Sequence, residues 1–208
     1  VLGLGGTSVL GTGLFTVTNG YVRATGQDLT ISNTLQSSAN ATSYFTGDYS
    51  LTFGTLTMST GGDTTVVNYI TPGSGKALTF SGSIMQGAEG TQRTIVFAGN
   101  GETVLSGTIV NNTSATRIRI QTGANAQYGP AVVRLTGSSV NTFTGGFQLN
   151  SGILRVERPI GSTPLGSGPL QFYGTTAFLE SATLSTGAAA WTNAVSFGNS
   201  TTAATGVI

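Results

Sequence analysis

Phe80-Ser81-Gly82-Ser83-Ile84 is followed about 25 residues later by Leu105-Ser106-Gly107-Thr108-Ile109, and about 30 residues after that by Leu135-Thr136-Gly137-Ser138-Ser139-Val140, with one residue inserted. Each copy is an apolar residue, a hydroxyl residue, a glycine and a second apolar residue, a short strand running into a tight corner. Working outward, leucines that open short strands form a similar ladder at Leu29, Leu51, Leu78, Leu105 and Leu135, spaced by roughly 22 to 30 residues. That spacing is the scale of solenoid coils. A β-sandwich would space its strands by about 8–12 residues and show no longer repeat.

The runs between these landmarks alternate apolar and polar residues, the pattern of half-buried strands. Leu14-Phe15-Thr16-Val17, Leu29-Thr30-Ile31, Leu51-Thr52-Phe53, Ile118-Arg119-Ile120, Val133-Arg134-Leu135 and Ile153-Leu154-Arg155-Val156 are examples. Turn residues follow almost at once, and the best helical stretch, 188–194, is short and carries no apolar stripe. The reading is an all-β chain, a single-stranded parallel β-helix (β-solenoid) of roughly eight or nine coils, one domain over residues 1–208. At about 4.8 Å between strands this makes a rod of roughly 40 Å. Inward positions then take stacked Leu, Ile, Val and Phe, outward positions take Thr, and Gly and Asn supply corners with positive φ.

Composition narrows the chemistry. The 208 residues include 32 Gly, about 36 Thr and 21 Ser, but no Cys, no His, and only 8 basic against 7 acidic side chains. Metal sites built on His or Cys and Ser-His or Cys-His catalysis are excluded. A net charge of +1 offers no field for nucleic acid, and Trp191, the Tyr and the Phe residues are too dispersed to form a stacking platform. No apolar run reaches membrane-helix length, so no transmembrane segment is expected. No leader precedes Val1, which suggests a processed chain or a fragment.

Residues 135–172 carry a more specific signal. Asn141-Thr142-Phe143-Thr144-Gly145-Gly146 is followed by Phe147-Gln148-Leu149-Asn150-Ser151-Gly152-Ile153-Leu154 and then by Leu165-Gly166-Ser167-Gly168. The pairing of Asn-Thr-aromatic-Thr-Gly-Gly with Leu-Gly-Ser-Gly closely resembles the autotransporter-associated β-strand repeat. The resemblance implies a parallel β-helix in a secreted passenger, or another large extracellular or cell-surface protein, of a diderm bacterium. Such repeats are scaffolding, so the resemblance implies no catalytic residues and no cofactor.

Among charged residues, Arg117, Arg119, Arg134 and Arg155 flank inward apolar positions and should point outward. Stacked on successive coils they would form a basic strip, with Arg158 near its end, suited to an anionic glycan or to an acidic patch on another subunit. Tyr44, Phe45 and Tyr49 form a candidate contact surface in a polar loop. The acids Asp28, Asp48, Asp63, Glu89, Glu102, Glu157 and Glu180 are scattered. A polysaccharide-cleaving site would need some of them to converge within about 5–10 Å. Gly73-Ser74-Gly75-Lys76-Ala77 lacks the phosphate-loop spacing and reads as a turn.

No capping helix or charged end coil is visible at either terminus. Residues 1–10 are apolar and uncharged, which makes Val1, Leu2, Leu4, Val9 and Leu10 a candidate edge strand or subunit contact. The functional expectation is a noncatalytic extracellular structural protein without cofactors, self-associating into a homopolymer through strand pairing between coil ends. The alternative is an adhesin or passenger segment that binds surface glycans through the arginine strip and the Tyr44 region.

Overall fold

A computed structural model of the chain describes residues 1–6, 10–88, 90–121, 130–159, 163–174, 176–181 and 193–198. These hold twenty strands and no helix. In chain order the first ten are β1 (Leu2–Leu4), β2 (Phe15–Val17), β3 (Tyr21–Ala24), β4 (Leu29–Ile31), β5 (Leu35–Ser37), β6 (Thr42–Gly47), β7 (Leu51–Phe53), β8 (Leu56–Met58), β9 (Thr64–Ile70) and β10 (Ala77–Phe80). There follow β11 (Ile84–Met85), β12 (Arg93–Gly99), β13 (Glu102–Leu105), β14 (Thr116–Ile120), β15 (Val132–Leu135), β16 (Phe147–Leu149), β17 (Gly152–Val156), β18 (Leu170–Phe172), β19 (Ala177–Ser181) and β20 (Val195–Phe197).

Each strand pairs in parallel with the equivalent strand of the next coil, giving walls of nine, seven and four strands. The first wall runs β1-β3-β6-β9-β12-β14-β16-β18-β20, the second β4-β7-β10-β13-β15-β17-β19, the third β2-β5-β8-β11. The fold is the expected parallel β-solenoid. The described residues make about seven turns, counted on the second wall, where eight or nine had been expected over all 208 residues. The repeat is uneven, and that loosens any count made from spacing. Leu29 pairs with Leu51 and Leu51 with Leu78, whereas Thr103 pairs with Val133 and Val133 with Leu154.

Strand alternation fills the interior with vertical columns. Ile31, Phe53, Phe80, Leu105, Leu135 and Val156 stack in register on the second wall, and none is measurably exposed. Phe97, Ile120 and Leu149 form a matching column on the first wall, and Leu35, Leu56 and Ile84 on the third. Each such burial stabilises by about 1.5–3 kcal/mol relative to exposure. A single coil has nothing to bury these side chains against, so stability comes from stacking. On the lower part of the second wall, Thr30, Thr52 and Thr79 form one outward ladder of hydroxyls.

The repeated glycine unit marks the corner after the second wall. Phe80, Leu105 and Leu135 do share a column, and Ile84 bridges Ile109. The glycines between them serve a different need from the one expected. Gly82 and Gly107 do not adopt positive φ; they let successive coils touch backbone to backbone, and a Cβ on Gly107 would overlap the Gly82 carbonyl. Gly137 does have positive φ, as do Asn19 and Asn40.

The third wall changes character halfway up. Among the described residues its strands end at β11, and the bridge from Ile84 to Ile109 is its last ladder contact. Above it the coils are joined on this side by single bonds, such as Thr142 N to the Ile109 carbonyl at 3.0 Å and Ser167 N to the Phe143 carbonyl at 3.1 Å. Phe143 and Leu165 keep the interior apolar there.

Candidate functional site

The expected basic strip divides among three places. Only Arg134 and Arg155 share a column, on the outer face of the second wall, in register below Glu180. Arg134 lies between two carboxylates: its Nη1 is 2.6 Å from Glu102 Oε1, while its Nη2 and Nε donate to the two oxygens of Glu157 at 2.7 and 3.0 Å. Arg155 Nε donates to Glu180 Oε2 at 2.7 Å. Two guanidiniums therefore face three carboxylates, in two ion-paired groups, Glu102–Arg134–Glu157 and Arg155–Glu180. Glu157 first, then Glu102, push the Arg134 guanidinium further above its ordinary value. All five side chains are partly exposed, so each pair contributes up to about 1 kcal/mol.

Arg117 and Arg119 lie on the first wall, on β14. Arg119 Nε donates to Gln148 Oε1 at 3.0 Å, and Gln148 Nε2 donates to Gln171 Oε1 at 3.1 Å, forming an outward ladder of amides. Arg117 donates to Gln92, and its Nε is buried without a partner.

Arg158 corrects the expectation most sharply. It is 0% exposed and is the largest fully buried side chain. Alternation along β17 explains this, because continuing it past Val156 puts Glu157 outside and Arg158 inside. Arg158 Nε donates to the Thr136 carbonyl at 2.7 Å, and Nη1 donates to the Ser139 carbonyl at 3.0 Å and to Asn141 Oδ1 at 2.8 Å. Nη2 donates to the Leu105 carbonyl at 2.8 Å and to that of Gly107. Burial lowers its pKa to about 10, which still leaves it charged at neutral pH.

Asn141 belongs to the same cluster. Its Oδ1 also accepts from Ile109 N at 2.7 Å, and its Nδ2 donates to the Pro164 carbonyl at 2.7 Å. The Asn-Thr-Phe-Thr-Gly-Gly stretch thus places an amide among buried backbone groups and Phe143 in the core. It also sets Gly145 where a Cβ would overlap the Thr116 carbonyl.

The candidate contact segment divides as well. Val1 and Leu2 are exposed, Leu4 is in the core, Leu10 packs against the core, and Val9 lies outside the described residues. Tyr44 and Phe45 are not in a loop but in β6. Phe45 is buried, Tyr49 packs against the core, and Tyr44 stacks on Tyr21 with ring centroids 4.4 Å apart. The structure adds a pattern that linear reading missed. The exposed large apolar side chains are Val1, Leu2, Leu14 and Tyr21 on the first coils, and Tyr173, Phe178, Val195 and Phe197 on the last described coils. Among the described residues only Val140 lies between them.

Every described carboxylate already has a partner. Asp28 Oδ1 accepts from Ser50 N and its Oδ2 pairs with Lys76 Nζ, both at 2.8 Å. Asp48 accepts from Thr71 Oγ1 at 2.6 Å and Asp63 from Thr94 N at 2.9 Å. Glu89 lies outside the described residues. Glu102 and Glu157 do converge, but the Arg134 guanidinium stands between them. Among the described residues no group of three His, Cys, Asp or Glu could hold a metal ion, and no helix is long and apolar enough to cross a membrane. The stretch at Gly73 is a turn, with Lys76 held by Asp28. No family model, curated protein or solved structure matches the chain.

Proposed function

We propose that this chain is a noncatalytic structural β-solenoid, a subunit or segment of an extracellular filament or cell-surface scaffold whose end coils continue by parallel strand pairing. The observation that carries the reading is the distribution of exposed apolar groups, concentrated on the first and last described coils. There β1 and β20 are the outermost strands of the first wall, and among the described residues no strand pairs with their outer edges. Such an edge is a template for another strand. Phe178, Val195 and Phe197 at one end and Val1, Leu2 and Leu14 at the other supply apolar surface for a coil stacked upon them, in the simplest case from a second copy. The noncatalytic part draws support from the committed carboxylates: Asp28, Asp48, Asp63, Glu102, Glu157 and Glu180 all hold the fold's own donors. Secretion to the surface of a diderm bacterium rests on the resemblance of residues 135–172.

Negative-stain electron microscopy of the purified chain over a wide concentration range tests the assembly. Rods that lengthen with concentration in units of one solenoid are expected; rods of constant single-solenoid length at every concentration overturn self-association. A second reading, glycan binding, keeps one observation in its favour: Tyr21 is 43% exposed, stacks on Tyr44, and has the exposed Arg23 on the same outer face. Saturation-transfer NMR with anionic polysaccharides, comparing the chain with its Tyr21→Ala variant, separates that reading from the first.

A further inference from the structure

We propose that Arg158 fills a built cation site inside the solenoid, an oxygen-lined cage shaped for a planar guanidinium. The cage consists of the carbonyl oxygens of Leu105, Gly107, Thr136 and Ser139 and Oδ1 of Asn141. A guanidinium on an alkyl stem has five N–H donors in a fixed fork, and all five are used here, each on a different acceptor. None of these acceptors is a carboxylate, so the charge is met by oriented dipoles, as in carbonyl-lined ion sites.

The acceptors come from two coils below Arg158, and the side chain thereby ties three successive levels of the rod. Its position is the place where ladder pairing on the third wall has ended at Ile109. The Gly107, Thr136 and Ser139 carbonyls at that corner are met by a side chain. A lysine could not substitute, because its three donors on a compact ammonium cannot reach five oxygens spread in a plane. The proposal does not depend on how the rod assembles.

Removing the side chain takes a donor from each of five oxygens and leaves the Leu105 carbonyl with only Thr136 N and Asn141 Oδ1 with only Ile109 N, and the free guanidinium ion has the matching charge, plane and donors. The Arg158→Ala variant should melt roughly 10 °C or more below the wild type, as expected when several buried oxygens lose their donors. Low-millimolar guanidinium chloride should raise its melting temperature, while equal sodium chloride should not. The wild type should show no response to either salt. An Arg158→Ala protein as stable as the wild type, or one that responds equally to both salts, overturns the proposal. If the variant fails to fold, NMR of the wild type decides: separate, slowly exchanging Nη protons on Arg158 are expected. Averaged, rapidly exchanging ones overturn the cage.

Discussion

The lower and upper halves of the third wall solve one problem in two ways. From β2 to β11 the wall is a parallel ladder, with Leu35, Leu56 and Ile84 stacked inside and neighbouring strands satisfying the backbone. Polar groups that turn inward there pair with one another, as do the hydroxyls of Ser37, Ser43 and Thr64. Above Ile109 the described segments between the second and first walls lack that ladder, and Asn141 and Arg158 supplement single backbone bonds there. A solenoid can therefore exchange strand pairing for side-chain amide and guanidinium donors on one side, provided the other two walls keep register. The exchange has a specific cost: the lower half depends on apolar volume, the upper half on a few irreplaceable polar groups.

The strongest way to break this comparison is to damage each half in its own currency. Leu56→Ala removes a fully buried side chain between Leu35 and Ile84 and should cost about 3–5 kcal/mol, depending on how far the coils collapse. Asn141→Ala removes the amide bonded to Ile109 N, the Pro164 carbonyl and Arg158, and should cost about 2–3 kcal/mol, chiefly through orphaned buried groups. Urea unfolding gives both magnitudes. Because each coil contacts only its neighbours, hydrogen exchange should localise the damage. Leu56→Ala should speed exchange in β5 to β11, and Asn141→Ala in β13 to β17. Uniform loss of protection in both variants would mean the halves are one cooperative unit.

What was legible in the sequence follows the same division. The column through Phe80, Leu105 and Leu135 was readable because a glycine corner follows each residue at a fixed distance and pins the register. The leucine ladder was half right. Leu29, Leu51 and Leu78 do stack, but Thr103 and Val133 continue their column, while Leu105 and Leu135 join the one through Phe80. Composition favours Leu as the landmark, whereas hydrogen-bond register depends on the corner. Arg158 was legible in principle, two residues beyond Val156 on the same face, yet a lone charge gives no sign that carbonyls await it. Those carbonyls belong to Leu105, Gly107, Thr136 and Ser139, up to about 50 residues earlier, and only the fold brings them together. The ion pairs were hidden for a related reason. Arg134 meets Glu102 and Glu157 across coils, at separations that vary with the loops between them.

The smallest expected effect concerns charge on the outer surface, where the halves also differ. In the upper half Arg134 is held between two acids, and its raised pKa keeps its charge fixed through the whole working range. In the lower half Asp28 links its own coil to Ser50 N one coil up and to Lys76 two coils up. The hydrogen bond from Lys76, and next that from Ser50, hold the Asp28 carboxyl below its ordinary 3.8. The unfolded chain therefore binds more protons than the folded one in the interval between the two values, and stability rises with pH there. The contribution is complete above 3.8 and is lost as pH falls through the lower folded value. The Asp28 side chain is about half exposed, so solvent screening keeps the effect small. Asp28→Asn should leave the neutral-pH melting temperature nearly unchanged and make the fall in melting temperature below pH 3.8 shallower than in the wild type. An acid limb of identical slope in the two proteins would show that this link adds nothing to coil stacking, and that the lower half is held by its apolar columns alone.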